Sequence, residues 1–524
     1  MHWIKNVRAM NFYLVFVTLF VLISPSLSAE IRLPAVIGDH MVIQQDQPIK
    51  IWGWAEPGEG IVVELGSRRA RTTTDKAGHW EIVLEAMNAE KKSHRMSISG
   101  TQSLAVELED ILVGEVWVCS GQSNMEWEMW RTHSPLPEIR RADFPSIRLF
   151  HVPRKASPYP LDDVEAEWKI CAPETARDFS AVAYYFGCEL HRELDVPVGM
   201  ISTRWGGTRI EPWTPVAGFS AVPELHEILA EMEAADVEHR NVLKGFLPEL
   251  KDWIEMSESA LSGGKALPAQ PDIPLHSLQN PQAPTALYNA MVHPLIRFAI
   301  KGAIWYQGEA NRNDGLNYAK KMEALITGWR TAWELGDFPF YYVQLAPYNY
   351  GYIADDQESD TLDFYRLPLI WEAQRQALQI PNTGMAVTTD ITNLYDIHPK
   401  NKKDVGYRLS LWAMAKTYGR TDLVYSGPLY KSVDLENNKI RIRFDHVGSG
   451  LASLDDRPLT WFEIAGKDRT FYKARADIDG DTILVWSEKV SVPVAVRFGW
   501  HQIATPNLGN KEGLPASPFR TDRW

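Results

Sequence analysis

Between about residues 111 and 420, short apolar runs of strand type alternate with amphipathic helical patterns, and this alternation constrains the fold more than any other feature of the chain. The strand-like runs are "GEVWVCSG" (114–121), "VPVGMIST" (196–203), "KGAIWYQG" (301–308), "FPFYYVQLA" (338–346) and "GMAVTTD" (384–390). Between them, Phe179, Val182, Phe186 and Leu190 recur on one helical face, and "NYAKKMEALITGWRTAWEL" and "LIWEAQRQALQI" keep the same period. Strands alternating with helices specify βαβ units and a parallel, doubly wound α/β sheet with helices on both faces. Such a sheet places its ligand beyond the carboxyl ends of its strands. The residues just after each run are therefore where chemistry is expected.

The flanks differ. Residues 30–110 carry short strand-like runs such as "IKIWGWA", "GIVVELG" and "GHWEIVLEAM" between Gly-, Pro- and Asp-rich turns. They predict an N-terminal β-sandwich module. Residues 421–524 return to β with "NNKIRIRFDHVG", "WFEIAG", "DTILVWS" and "PVAVRFGW", predicting a C-terminal β module. Residues 217–285 break the alternation with a long amphipathic helix and a Pro-rich loop, an insertion expected to cover the site. Residues 1–29 have the form of an export signal: Lys5 and Arg8, the apolar "FYLVFVTLFVLI", then small residues before a cleavage point near Ser28 or Ala29. The mature chain is expected to be periplasmic or secreted, and no later segment is long and apolar enough to span a bilayer.

Charge and rare residues narrow the function classes. A formal net charge of −13 argues against binding a nucleic-acid backbone. Twenty Trp lean toward a sugar ligand, although Trp is also a core residue. Cys119, Cys171 and Cys188 are too few for a disulfide framework; Cys171 and Cys188 could pair in an oxidising compartment or stay free, and Cys119 ends an apolar strand. There is no H-E-x-x-H and no compact His/Cys cluster, so neither a metal nor a cofactor is implied.

Ser123 follows the first strand in "CSGQSNMEW", where a strand-to-helix turn can expose a hydroxyl. Serine becomes a useful nucleophile only when a neutral imidazole takes its proton and a carboxylate orients that imidazole. His398, in "LYDIHPKNKKDVGYRLSLWA", follows the fifth strand and supplies the imidazole at the same sheet edge. Asp396 lies two residues before it, and Asp390 is the rival orienting residue. An oxyanion hole needs donors at that edge too. Gly206–Gly207 follows the second strand, and "WYQGEAN" follows the third and offers Gln307 and Asn311. Gln122 and Asn124 flank Ser123 and form part of the expected site wall.

Taken together, "VWVCSGQSNMEWEM", "WGGTRIEPW", "LYNAMVHPLIRFAIKGAIWYQGEAN", "DIHPKNKKDVGYRLSLWA" and "NLGNKEGLPASPFRTD" resemble the sialate O-acetylesterase family of the SGNH-hydrolase superfamily. The resemblance covers nearly the whole chain after residue 29. It implies a flavodoxin-like sheet and a serine esterase that removes O-acetyl groups from sugars. It further implies Ser123 as nucleophile, His398 as base and Asp396 as its partner. Gly207 and Gln307 would join the Ser123 N–H as oxyanion donors. Two features depart from the wider superfamily. The aspartate stands two rather than three residues before the histidine, and "QGEAN" replaces a G-x-N-D loop, which leaves Gln307 and Asn311 as alternatives.

The expected partner is an O-acetylated sugar or glycan: sialic acid by the family name, acetylated xylan or another plant glycan as the alternative. An anionic sialate would call for an arginine, and Arg204 and Arg209 flank the Gly-Gly pair. Glu309 either binds sugar hydroxyls or holds its loop. Two rivals differ in class: a glycosidase using Glu126 and Glu309 as paired acids, and a non-catalytic glycan-binding protein.

Overall fold

The computed structural model describes residues 30–352 and 363–524. The export signal expected at 1–29 lies outside the described residues.

Strand β1 (Val106–Gly121) organises the molecule. Its start mixes exposed and buried positions, whereas every residue from Ile111 to Gly121 is buried. Alternation marks a strand with one wet face, and a continuous buried run marks a strand covered on both faces. The first part pairs antiparallel with Glu90–Gly100, and Val42–Gln44 runs parallel to Leu112–Gly114. The second part lies inside the parallel sheet. One strand thus carries both the N-terminal β region and the α/β region, within a single 11-stranded sheet. It runs straight through the boundary expected at residue 110.

The parallel part adds β2 (Phe144–His151), β3 (Trp168–Cys171), β4 (Val198–Arg204), β5 (Gly302–Tyr306), β6 (Phe340–Val343) and β7 (Thr383–Ala386). Their order is β7-β6-β5-β1-β4-β2-β3, and every neighbouring pair is parallel except β2–β3. The strands expected from sequence, β4-β1-β5-β6-β7 in space, have the flavodoxin-like order, with a switch point between β1 and β5. The edge pair β2 and β3 is an addition that the sequence pattern does not reveal. Arg148 sits in the middle of β2, where it breaks the apolar run. It is buried because its guanidinium donates to the carbonyls of Pro145, His40 and Asp110 and pairs with the Asp110 carboxylate.

Four helices matter for the site. They are α1 (Ser123–Glu126), α2 (Ala181–Leu194), α3 (Tyr318–Trp333) and α4 (Lys402–Trp412). The Ser180 hydroxyl caps α2 by accepting from the Ala183 N–H and donates to the Met125 carbonyl at 2.6 Å. One cap side chain therefore ties α2 to the turn that follows β1. Much of the Trp excess is core: Trp117, Trp213, Trp305, Trp329 and Trp371 are fully buried. Trp305 meets Trp213 and Trp329 edge-on at 6.3 Å, contacts worth about 0.5–1.5 kcal/mol each beyond burial.

The C-terminal residues form two four-stranded antiparallel sheets and a two-stranded one, Leu451–Ser453 with Leu508–Asn510. Their inward side chains, including Ile442, Phe462, Ile483, Val496 and Phe519, make a core separate from that of the main sheet. The insertion contains the expected helix, His226–Ser262, of which Phe246 and Ser257 are buried. Cys171 and Cys188 do not pair; all three cysteines are free thiols, and burial pushes the Cys171 thiol up to about 12. No helix among the described residues is long and apolar enough to cross a membrane.

Candidate active site

The carboxyl ends of β1 and β5 meet at Gly121, whose φ is +142°. A Cβ there would stand 2.2 Å from the Tyr306 carbonyl oxygen, so only glycine lets the two strands part at this point. The chain then turns into α1, and Ser123 is its first residue. The Ser123 Oγ lies 2.9 Å from His398 Nε2. His398 comes from the loop between β7 and α4. Its backbone N–H donates to Asp396 Oδ1 at 2.9 Å, and its ring Nδ1 stands 3.5 Å from the same oxygen. Residues 275 positions apart in the chain are thus brought into direct contact. Asp390 is not part of this array: its carboxylate pairs through both oxygens with Arg408, at 2.7 and 2.6 Å.

Trp127, one helical turn after Ser123, stacks on the His398 ring with centroids 4.7 Å apart and an 18° interplanar angle. The Arg131 guanidinium covers the indole at 3.7 Å. Burial, followed by the nearby Lys402 charge, holds the His398 imidazole below its ordinary 6.5, while Asp396 pulls the other way. The ring is therefore neutral at pH 7, the state that accepts a proton.

The Gly206–Gly207 turn packs against Ser123. A Cβ on Gly206 would lie 3.3 Å from that of Ser123. The Gly206 N–H donates to Glu126 Oε2 at 2.8 Å, and Glu126 Oε1 is held by Arg154. Gly207 has φ +76° with open space where a side chain would be, and its N–H has no hydrogen-bond partner among the described residues. Gln282, at the end of the insertion, braces the turn by donating to the Gly207 carbonyl at 3.0 Å. The rest of the insertion makes no such contact with Ser123 or His398.

Several expected site residues serve as scaffold instead. Gln307 is fully buried. Its amide N–H groups donate to the Thr208 carbonyl (3.2 Å) and Asn311 Oδ1 (2.7 Å), and its Oε1 accepts from the Tyr318 hydroxyl (2.8 Å). No donor remains for an oxyanion, which corrects the expectation for Gln307. Asn311 is buried too, accepting from the Ile210 N–H and donating to Glu211 and Asp314. Arg209 pairs with Glu211 and Asp314 at 2.8 and 3.0 Å, so it is an ion-pair residue and not a free anion clamp. Arg204 is buried against His151 and the Asp178 carbonyl. Gln122 Oε1 accepts from the Gly308 and Ala310 N–H groups and fixes the loop after β5. Gln307→Leu is expected to cost about 1–3 kcal/mol of stability in urea unfolding, because it strands the Thr208 carbonyl in the core and takes one of two partners from the Tyr318 hydroxyl and from Asn311 Oδ1.

Asn124 links the two halves of the site. Its Nδ2 donates to Glu309 Oε1 and, at 3.0 Å, to the carbonyl of Ile397, the residue before His398. Its Oδ1 accepts from the buried Lys402 Nζ. Burial pushes Lys402 down to about 7, opposed by the charges of Glu309 and Asp396. Burial raises the Glu309 carboxyl, whose Oε2 has no hydrogen-bond partner among the described residues. Lys402 went unnoticed in the sequence because "KNKKD" looks like a solvated charge run. A signal was present: Lys402 falls on the same helical face as Val405, Leu409 and Trp412. The two acids required by a glycosidase are both engaged, Glu126 with Arg154 and Gly206, Glu309 with Asn124.

The chain is similar along most of its length to known carbohydrate esterases. Residues 275–410 match the family profile described as carbohydrate esterase, sialic acid-specific acetylesterase. The chain is 30% identical over 454 residues to the sialate O-acetylesterase of Rattus norvegicus, covering 79% of each. It is 29% identical over 554 residues to that of Mus musculus, covering 95% of each. The solved structure of a carbohydrate acetylesterase from Xanthomonas citri superposes with a TM-score of 0.78 at 35% identity, covering 94% of this chain and 100% of that one.

Proposed function

The chain belongs to the sialate O-acetylesterase family and so to the carboxylic ester hydrolases, and from that premise we propose that it removes O-acetyl groups from carbohydrates through an acetyl-enzyme on Ser123. The observation that carries this reading is the 2.9 Å contact between Ser123 Oγ and His398 Nε2 at the switch point of the sheet. His398 takes the hydroxyl proton as Ser123 attacks the acetyl carbonyl. The N–H groups of Ser123 and Gly207 receive the oxyanion. The protonated imidazole then gives its proton to the leaving sugar oxygen. A water activated by the same ring releases acetate.

Asp396 holds the imidazole in the tautomer that presents Nε2 as acceptor. Asp396→Asn is expected to lower kcat/KM by about 10²-fold or more, because the wrong tautomer then faces Ser123. Asp390→Asn instead weakens the Arg408 pair and lowers the melting temperature more than it lowers the rate. Equal losses of rate in the two variants would count against the assignment.

Within this class an uncharged acetylated glycan is favoured over sialate, because Arg204 and Arg209 are both engaged elsewhere. Acetate release from acetylated xylo-oligosaccharides and from O-acetylated sialic acids, measured side by side, tests the reading. Faster turnover of the sialic acids would reverse the preference, and no acetate from either would reject the function. Residues 1–29 act as a cleaved export signal in this reading, so the enzyme works in the periplasm or outside the cell. In the same reading the 30–110 and 421–524 regions act as flanking β-sandwich-like modules around a 111–420 catalytic domain, the first of them sharing the strand Val106–Gly121 with that domain.

A further inference from the structure

The C-terminal β region contains a cavity of about 400 Å³ lined by Tyr365, Trp461, Glu463, Lys473, Trp500 and His501. We propose that this cavity is a second carbohydrate site, which holds the uncharged sugar chain of a glycan whose acetylated residue lies at Ser123; the link to Ser123 rests on the esterase reading, whereas the binding itself does not.

The lining has the chemistry of a sugar site. Aromatic rings dominate it, and flat rings accept the C–H faces of pyranoses as they accept other apolar surfaces. The rings form an ordered set. His501 stacks on Phe364 with centroids 4.9 Å apart at 22°, and Trp461 lies 6.1 Å from His501. Burial holds the His501 imidazole below its ordinary value, so it presents an uncharged ring. Two charged groups of opposite sign complete the lining, Glu463 and Lys473, which face each other in register on adjacent strands. Both offer hydrogen bonds to sugar hydroxyls. Size, aromatic lining and a few polar groups are those of a ligand pocket, not of a packing defect.

The backbone is strained where the cavity is built. Trp461 has φ +63°, in the left-handed region, which is a true outlier for a bulky side chain. Its carbonyl accepts from the Gly499 N–H at 2.9 Å, which pins the residue next to Trp500 and His501. Strain of this kind persists where the surrounding structure enforces it, and it concentrates at ligand sites.

The cavity is also joined to the catalytic loop. The Gln502 N–H donates to Phe364, the Tyr348 N–H donates to Gln502, and the Asn349 N–H donates to Leu394, two residues before Asp396. The Thr392 hydroxyl, in the same loop, donates to the carbonyl of Pro347, the residue before Tyr348. Backbone hydrogen bonds therefore link the segment that carries His501 to the loop that carries Asp396 and His398.

The test uses the full-length Ser123→Ala protein and isothermal titration with xylohexaose, cellohexaose and maltohexaose, none of them acetylated. At least one is expected to bind, and Trp461→Ala and His501→Ala are each expected to weaken it about tenfold. His501→Ala removes a ring without touching the strained residue, so it covers the case in which the Trp461 variant unfolds. With Ser123 restored, both changes lower the ratio of kcat/KM on acetylated xylo-oligosaccharide to that on p-nitrophenyl acetate. No binding by any of the three sugars overturns the second site, as does binding that both ring variants leave intact. Binding that weakens while the enzyme releases no acetate from any substrate keeps the site and rejects the esterase reading.

Discussion

Ser123→Ala is expected to lower kcat for p-nitrophenyl acetate by about 10⁴-fold or more, with a melting temperature close to that of the unaltered enzyme. The two halves of this expectation have separate causes. Ser123 opens a helix of only four residues and is half-buried, and its recorded side-chain hydrogen bond is the one to His398. Removing one oxygen there leaves no cavity in the core and strands no other group than a ring nitrogen next to solvent. The stability change is about 1 kcal/mol or less. The rate loss is large because the covalent route disappears with the oxygen. Residual turnover would come from the Gly207 turn and the imidazole acting on bound ester alone. The wild-type enzyme should also show a burst of p-nitrophenol if deacylation is the slower step. Activity near wild type in the alanine variant would remove Ser123 from the mechanism.

The same residue shows what the sequence could and could not reveal. Its position at a strand end was legible because β1, β4, β5, β6 and β7 follow plain periodic rules. Their order in space agrees with a doubly wound sheet. His398 and Asp396 were legible for the same reason: each lies in the segment after β7. Side-chain roles were less legible, because sequence places a residue at an edge without saying which way it faces. Gln307 sits at the correct edge but turns inward to Tyr318 and Asn311. Arg209 sits beside the Gly-Gly turn but turns toward Glu211 and Asp314. The β2–β3 hairpin was hidden because Arg148 is satisfied by backbone carbonyls from distant segments. No local pattern encodes those partners.

Lys402 is where the buried network makes its strongest demand. A cation in the core is stable only with partners, and here Asn124 Oδ1 receives it while Asn124 Nδ2 holds the Ile397 carbonyl and Glu309. This arrangement clamps the serine turn to the histidine loop from behind. It also sets the charge felt by His398, which faces Asp396, Lys402 and Arg131, with Trp127 stacked on its ring. Burial and the Lys402 charge both depress the imidazole, so activity should hold from neutral pH to below 6.5 and fall only as His398 gains its proton. Lys402→Met removes one of those two causes. The imidazole then rises toward its ordinary value, and the acid limb of kcat/KM moves to higher pH. The clamp loosens as well, and a displacement of about 1 Å between Ser123 and His398 costs about 10²-fold in rate. A purely structural lysine would lower the rate without moving the acid limb. Lys402→Arg keeps the charge but not the fit, so it should lose rate while leaving the acid limb near its wild-type position. An acid limb that stays in place in the methionine variant would show that Lys402 holds the loop without tuning the base.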